Sequence, residues 1–544
     1  MSHNYCGARI SLSHTTFNIP VWRRELEGSK FIEIADYLEF GFPLGVNYSL
    51  PIESTLKNHT SAYDHFNCVD KFVHKELDLQ GIAGPFSTSP FWSPKISPLM
   101  TAPKKPDSRR ICFDLTFGEH SVNNATPEGE FLGEKYTYNY PKADQFEALI
   151  VQQGPYCLLW KTDLSRFFMQ LPVDPHDYPY LCFIWRNNFF YYLNLAYGHR
   201  NSGMHGQKTT TAVVHIFEKR GILYDGNIFN GMNYCDDVGG ADRGVRAWVA
   251  FYSFRALLRE LGLVEAPQKA HPPSTSMPYL GIQYCTESMT KQVTPERLLD
   301  LENELNTFIT KSTVTKAELE SILHKLLWVS TCVKSSRVFV SRIIIAMKKL
   351  KSRHHRMRVN SEIKADLVWW RRFLREFSGI SLIETGLWSE PDALCAGDAC
   401  LTGGGAYTET EYFSLSFPNF LEEVPIHILE FIVLIISCKV WGSTWGRLCI
   451  SVYCDNESVV QTICSQKPKD EKMQSCLREL LFLESKYSFR MRAIHLSTKE
   501  NCVADYISRI HDDKMIQNYL KSSGLKPKQR VDIPVSFYKQ WNSW

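Results

Sequence analysis

The stretch Phe229-Asn230-Gly231-Met232-Asn233-Tyr234-Cys235-Asp236-Asp237-Val238-Gly239-Gly240 sets two adjacent carboxylates between apolar and small residues. That pattern suits a tight strand-turn-strand hairpin with Asp236 and Asp237 at its tip. Two like charges so close repel each other, and a divalent cation relieves them; hard oxygen ligands favour magnesium. A third acid lies upstream, where Lys161-Thr162-Asp163-Leu164-Ser165-Arg166-Phe167-Phe168 places Asp163 after the strand-like run Tyr156 to Trp160. For an isolated Asp-Asp pair the alternative is a solvated turn, and only the wider context decides against it.

The chain of 544 residues has room for three or four domains of ~150 residues. Its composition, 44% hydrophobic, 13% aromatic and 22% charged, is that of a folded protein and excludes disorder as the main state. Sixty-one Lys and Arg against 58 Asp and Glu give +3, so any basic surface for nucleic acid must be local. The 16 cysteines show no C-x-x-C pair and no zinc-finger spacing, and the first residues lack the apolar core of a signal peptide. Reduced thiols and an intracellular setting, cytoplasm or nucleus, are expected. The longest apolar runs, such as Phe431 to Ile436, fall far short of the ~20 residues that span a bilayer, so no membrane partner is expected.

Residues 1–80 mix short apolar stretches with Pro20, Pro43 and Pro51 and read as an irregular N-terminal extension. From 81 to 290, β-like runs (Tyr156 to Trp160, Phe189 to Leu195, Met232 to Cys235, Tyr279 to Tyr284) alternate with helical segments at Thr209 to Arg220 and Ala247 to Leu261, the pattern of a mixed α/β domain. Helices dominate 291–385, with apolar spacing of three and four around Lys316 to Val329 and Val338 to Met347. A second α/β unit spans 386–512, and 513–544 reads as a polar tail.

In that second unit four acids stand on separate expected elements. Asp398 follows a strand at Leu394, Glu430 lies in an apolar helix from His427 to Trp441, Asp455 follows the strand Cys449 to Tyr453, and Asp505 lies in a helix from Asn501 to Arg509. Glu430 is the informative one, because an ionised group on an apolar helix is costly unless it meets a cation. A salt bridge is its alternative.

The order of further segments resembles a reverse transcriptase. Tyr234-Cys235-Asp236-Asp237 resembles the Tyr-x-Asp-Asp hairpin of that family, and Asp163 its upstream acid, with Phe168 five residues on. Ser97-Pro98-Leu99, Pro103-Lys104-Lys105, Arg109-Arg110 to Leu115 and Ser121-Val122-Asn123 are similar to its fingers segment. Gly198-His199-Arg200-Asn201-Ser202 through Gln207-Lys208-Thr209 lies where its template-positioning motif lies, and Tyr279-Leu280-Gly281-Ile282 resembles its primer grip. Cys395-Ala396-Gly397-Asp398-Ala399 before Gly403-Gly404-Gly405-Ala406, Cys454-Asp455-Asn456, and His495 to Asn501 before Val503-Ala504-Asp505 resemble a ribonuclease H domain. Taken together, the likeness is to the polymerase of DIRS-type retrotransposons, those that carry a tyrosine recombinase. Two departures stand out: the family has a small residue at the position of Phe167 and an apolar one at that of His199.

The resemblance implies a multidomain α/β enzyme: a right-hand polymerase with fingers and palm over 81–290, a helical thumb and connection over 291–385, and a ribonuclease H-like domain over 386–512. It implies RNA-directed DNA polymerase and RNA:DNA hybrid endonuclease activities, with an RNA template, a DNA primer, RNA:DNA hybrid and deoxynucleoside triphosphates as partners. Asp163, Asp236 and Asp237 would hold two magnesium ions, with manganese as an alternative, and Asp398, Glu430, Asp455 and Asp505 a second pair. Lys104, Lys105 and Arg110 would close on the triphosphate, Phe168 would exclude a 2′-hydroxyl, Gln207 would face the template, and Lys269 would protonate pyrophosphate. A domesticated or decayed retroelement protein that binds nucleic acid without catalysis is the competing function. Trp369-Trp370 beside Arg371-Arg372 reads as core packing with a duplex contact as the alternative.

Overall fold

A computed structural model describes residues 16–47, 57–105, 108–136, 140–332, 336, 339–377, 379–383, 391–421, 423–539 and 541. The chain divides into two compact units, Met1–Leu280 and Gly281–Trp544.

In the first unit α1 (Ile19–Leu26), α2 (Ile32–Phe40) and α3 (Phe66–Asp78) precede β1 (Ile82–Phe86) and the two-stranded ribbon β2 (Leu99–Lys105) and β3 (Ser108–Phe113). The irregular N-terminal extension is thereby corrected. Pro20 does not break α1 but sits in its first turn, where a missing N–H costs nothing. Trp22, fully buried, donates its indole N–H to the Leu261 carbonyl at 2.9 Å, so this segment belongs to the core of the unit. Pro51 lies outside the described residues.

After α4 (Ala143–Gln153), β4 (Leu158–Asp163) leads to the hairpin β5 (Cys182–Trp185) and β6 (Asn188–Tyr192), which with β1 forms a three-stranded sheet in the order β1-β6-β5. The long helix α5 (Ser202–Asp225) is followed by β7 (Gly231–Tyr234), β8 (Asp237–Asp242), α6 (Gly244–Leu261) and β9 (His271–Ser274), giving a sheet in the order β9-β4-β8-β7. Gly239 and Gly240 lie inside β8 rather than in the turn. Gly240 stands opposite Trp160, and a Cβ there would come 2.4 Å from the indole ring, so only glycine lets that ring lie across the strand.

In the second unit the strands β10 (Ile282–Cys285), β11 (Thr290–Val293) and β12 (Ile380–Leu382) pair in that order. The expected strand from Tyr279 to Tyr284 is interrupted, because Leu280 and Gly281 both take positive φ. Between β11 and β12 lie α7 (Pro295–Thr310), α8 (Lys316–Cys332), α9 (Ser341–Lys348) and α10 (Ser361–Glu376). Val338, where the periodicity starts a helix, lies outside the described residues. Trp370 is fully buried with its N–H on the Phe339 carbonyl, and Trp369 stacks on the Phe339 ring at 3.6 Å. Both tryptophans are core.

Its larger sheet runs β17-β16-β13-β14-β15-β18, with β13 (Ala393–Ala399), β14 (Gly403–Tyr407), β15 (Glu411–Ser416), β16 (Cys449–Cys454), β17 (Arg490–His495) and β18 (Gln529–Arg530). β13, β16 and β17 are parallel, and β14 and β15 extend the sheet antiparallel. Helices α11 (Ile426–Trp441), α12 (Glu457–Ser465), α13 (Glu471–Tyr487) and α14 (Cys502–Arg509) cover it. Successive residues of a strand face opposite sides. Accordingly a Cβ on Gly404 would meet Val433 of α11 at 2.4 Å and one on Gly405 would meet Ile507 of α14 at 2.5 Å, which explains the run Gly403-Gly404-Gly405.

The polar tail is the second correction. Asp512 caps α15 (Asp513–Ser522), whose Ile516 and Leu520 pack with Tyr412, Val503 and Ile507, and β18 pairs parallel with β15. Lys528, counted as a tail charge, donates to the carbonyls of Thr408 and Glu409 at 2.7 and 2.6 Å. No described helix is long and apolar enough to cross a membrane.

Candidate active sites

The first site is built on the antiparallel pairing of β8 with β4, which puts Asp237 opposite Asp163. Asp236 falls in the two-residue turn between β7 and β8. Cys235, the first turn residue, has a φ of 49°, a left-handed conformation that costs a non-glycine residue of order 1 kcal/mol or more. The turn is held from α5: the Cys235 N–H donates to Gln207 Oε1 at 2.6 Å, and Gln207 Nε2 donates to the Asn233 carbonyl at 3.1 Å. Asn233 in turn donates to Thr210 Oγ1 at 2.7 Å, the Leu164 N–H donates to the Asp236 carbonyl at 3.0 Å, and Tyr279 bridges the carbonyls of Met232 and Asp237. Sequence reasoning missed Tyr279 as a hairpin brace.

Burial and mutual repulsion disfavour charge on these acids. Asp237 is pushed up to about 6, first by burial, with Asp163 and Asp236 adding and Lys161 opposing. Asp236 is also raised by burial and by Asp163. One oxygen of Asp237 is buried with no hydrogen-bond partner among the described residues. Three hard-oxygen donors, one of them orphaned, have the chemistry that magnesium takes, but among the described residues they are not gathered within 4.8 Å of one another as the donors Glu430, Cys454 and Asp455 are. Lys269 reaches the same place, with Nζ 2.8 Å from Asp163 Oδ1.

The other expected contacts divide. Phe168 is half-buried against Phe167 and edge-on to Tyr197 at 5.2 Å. Tyr197, absent from the sequence reading, feels the Asp236 charge and is pushed up to about 12, mainly by burial; its place directly before Gly198-His199 was the available signal. Lys104 and Arg110 are exposed on the β2-β3 ribbon, Lys105 ends β2, and no described contact joins the ribbon's basic residues to the carboxylates. Arg109 folds back on Thr101. Gln207, expected to face the template, has both ends of its carboxamide committed to the hairpin. His199, expected beside the template, is buried, held neutral with its pKa pushed down to about 3 by burial, and lies 3.3 Å from Thr126 Oγ1.

The second site lies at one end of the larger sheet. Asp398 sits on β13, Asp455 directly after the adjacent β16, Glu430 in the first turns of α11 and Asp505 on α14. Ser508 donates to Asp398 Oδ2 at 2.9 Å, and Arg509 pairs with Asp505 at 2.6 Å. Glu430 receives Cys454 Sγ on Oε2 and Asn456 Nδ2 on Oε1, both at 3.3 Å. Burial, then the charges of Asp455 and Asp505, pushes Asp398 up to about 7 against the Ser508 hydrogen bond. Glu430 is likewise pushed up to about 7, by burial first and by Asp455 and Asp398. The four acids of the sequence reading therefore converge, and Cys454, Asn456 and Ser508 join them. Asp398, Glu430 and Asp455 have no Lys or Arg ion pair among the described residues, so a cation fits here too. His495 lies 3.1 Å from the Asp455 carbonyl, at a strand end.

No family model and no curated protein matches the chain. Among solved structures, it is similar to the foamy viral protease-reverse transcriptase dRH in complex with double-stranded DNA, at TM-score 0.47 and 14% identity, over 90% of this chain and 84% of that one. It is also similar to the foamy viral protease-reverse transcriptase with double-stranded DNA (TM-score 0.44, 14% identity, 89% and 99% covered). The same protein with an RNA/DNA hybrid gives TM-score 0.43 and 15% identity, over 90% of this chain and 64% of that one.

Proposed function

We propose that the chain is an RNA-directed DNA polymerase with ribonuclease H activity, of the DIRS retrotransposon type. It copies retroelement RNA into DNA and degrades the RNA strand of RNA:DNA hybrids. The observation that carries the reading is the strand register that sets Asp237 opposite Asp163 with Asp236 in a braced turn. The convergence of Asp398, Glu430, Asp455 and Asp505 on a second sheet supports the nuclease half.

In this reading the first unit supplies fingers and palm, the helices α7 to α10 a thumb and connection, and the larger sheet with its helices a ribonuclease H-like domain. Magnesium held by the two carboxylate sets would supply activation of the primer hydroxyl or of water and neutralise charge on the phosphate. The remaining roles belong to side chains. Gln207 and Tyr279 keep the Asp236-Asp237 turn in place, so that the carboxylates are preorganised. Phe168 walls the sugar and excludes a 2′-hydroxyl. Lys104, Lys105 and Arg110 bind the triphosphate, Arg110 by a two-pronged contact. Lys269 gives its proton to the leaving pyrophosphate.

The test is primer extension on an RNA template with magnesium, comparing deoxy- and ribonucleotides, with cleavage of a labelled RNA:DNA hybrid assayed on the same preparation. Extension with deoxynucleotides and RNA-strand cleavage are expected. Duplex binding with neither activity would replace this reading with a non-catalytic one.

A further inference from the structure

The second carboxylate cluster contains a donor that a magnesium site has no use for. Cys454 ends β16 fully buried, with Sγ 3.3 Å from Glu430 Oε2. Sγ, a Glu430 oxygen and an Asp455 oxygen all lie within 4.8 Å of one another. In a tetrahedral zinc site, metal distances of about 2.3 Å to sulfur and about 2.1 Å to oxygen put the two donors about 3.6 Å apart. The Cys454 to Glu430 separation is already close to that.

Three independent features point the same way. Among the described residues the acids around the thiol lack a basic partner, apart from Arg509 on Asp505. The Asn456 N–H is aimed at Sγ from 3.4 Å, a dipole that partly offsets the burial and the Glu430 charge which push the thiol up. β16 is held between parallel β13 and β17, and the Leu496 N–H fixes the Cys454 carbonyl at 3.1 Å, so the thiol is carried on a rigid element.

We propose that Glu430, Cys454 and Asp455 form a mixed oxygen and sulfur site for a thiophilic divalent cation, zinc or cadmium, which competes there with magnesium. Carboxylates alone favour hard cations, whereas a sulfur donor turns the preference toward soft ones. The cation takes the place of the thiol proton, which leaves to solvent. The competition rests on the nuclease reading of this cluster; the binding itself stands on the ligand set.

The experiment uses the full chain, titrated with cadmium in the presence of magnesium. The ultraviolet charge-transfer absorbance between thiolate and cadmium is followed, and magnesium-dependent cleavage of an RNA:DNA hybrid is measured alongside. One tight cadmium equivalent is expected. Cys454→Ser should lose it, and Glu430→Gln and Asp455→Asn should weaken it at least about tenfold. Cys464→Ser, at an exposed cysteine on α12, should leave it unchanged. Circular dichroism checks folding; Cys454→Thr repeats the comparison with a residue suited to a strand, and the two carboxylate variants read the site with the thiol intact. An unchanged cadmium band in a folded Cys454 variant overturns the proposal, even if cleavage falls, since the thiol then only positions Glu430. A band lost with Cys454 in a protein that never cleaves hybrid supports the site and removes the nuclease reading instead.

Discussion

Lys269 Nζ lies 2.8 and 3.0 Å from the two carboxylate oxygens of Asp163, so the ammonium occupies the place where a cation bound by Asp163 must arrive. The pair is at the surface on the lysine side, with the Lys269 side chain 57% exposed against 12% for Asp163. A pair with one solvated partner of this kind contributes about 0.2–1 kcal/mol, the exposed-pair range serving as a lower figure. Lys269→Gln should therefore tighten apparent magnesium binding by up to about fivefold while lowering the rate of nucleotide addition. Magnesium-dependent shifts of the melting temperature measure the first effect and single-turnover extension the second. Weaker magnesium binding in the variant would mean that Lys269 organises Asp163 instead of competing for it.

Asp236→Asn should reduce primer extension at least about a hundredfold, because a lost metal ligand forfeits several kcal/mol of transition-state stabilisation. Duplex affinity, measured by fluorescence anisotropy, should stay nearly constant, since Asp236 makes no phosphate contact in this reading. Extension at the native rate would remove Asp236 from the site.

Phe168→Ala should raise incorporation of ribonucleotides relative to deoxynucleotides by opening the wall that Phe168 forms with Tyr197. Competition of the two triphosphates on one template reads the ratio directly. An unchanged ratio would assign Phe168 to packing alone.

The raised carboxyls predict a pH dependence of stability. Asp398 and Glu430, both pushed up to about 7, bind protons in the folded state over a range where the unfolded chain has lost them. Stability in chelator is then full below about pH 4 as far as these groups are concerned, and falls as pH rises toward 7. Asp237, pushed up to about 6, adds to the same trend. Thermal melts in chelator between pH 5 and 8 should show the decline, with magnesium restoring stability at the upper end and Asp398→Asn flattening the curve. A rise in melting temperature over that range would show that these carboxyls are not buried together.

Glu430→Gln should stop cleavage of the RNA strand while DNA synthesis continues. The two carboxylate sets share no residue and lie in different units, and changes at sites without shared partners act nearly independently. Gln keeps the shape of Glu and relieves a buried charge, so folding should survive. Both activities are measured on one preparation. Loss of synthesis together with cleavage would show that Glu430 holds up the fold.

The sequence by itself determined the local pieces of this protein. Alternating and apolar runs marked β4, β7 and β16, three- and four-residue spacing marked α8 and α9, an apolar run marked α11, and the acids stood out at a hairpin tip, after strands or on helices. Such features are local because periodicity and turn chemistry act over a few residues. Only the tertiary structure decided which distant groups meet. The N-terminal helices escaped notice because Trp22 finds its acceptor at Leu261, more than 200 residues on. The tail read as polar because its apolar stripe, Ile516 and Leu520, covers a face of the sheet that only folding creates. Gln207 became a brace of the Asp236 turn, and Cys454 became a neighbour of Glu430. Both depend on strand register and helix placement, which set positions to within an ångström and which no spacing along the chain encodes.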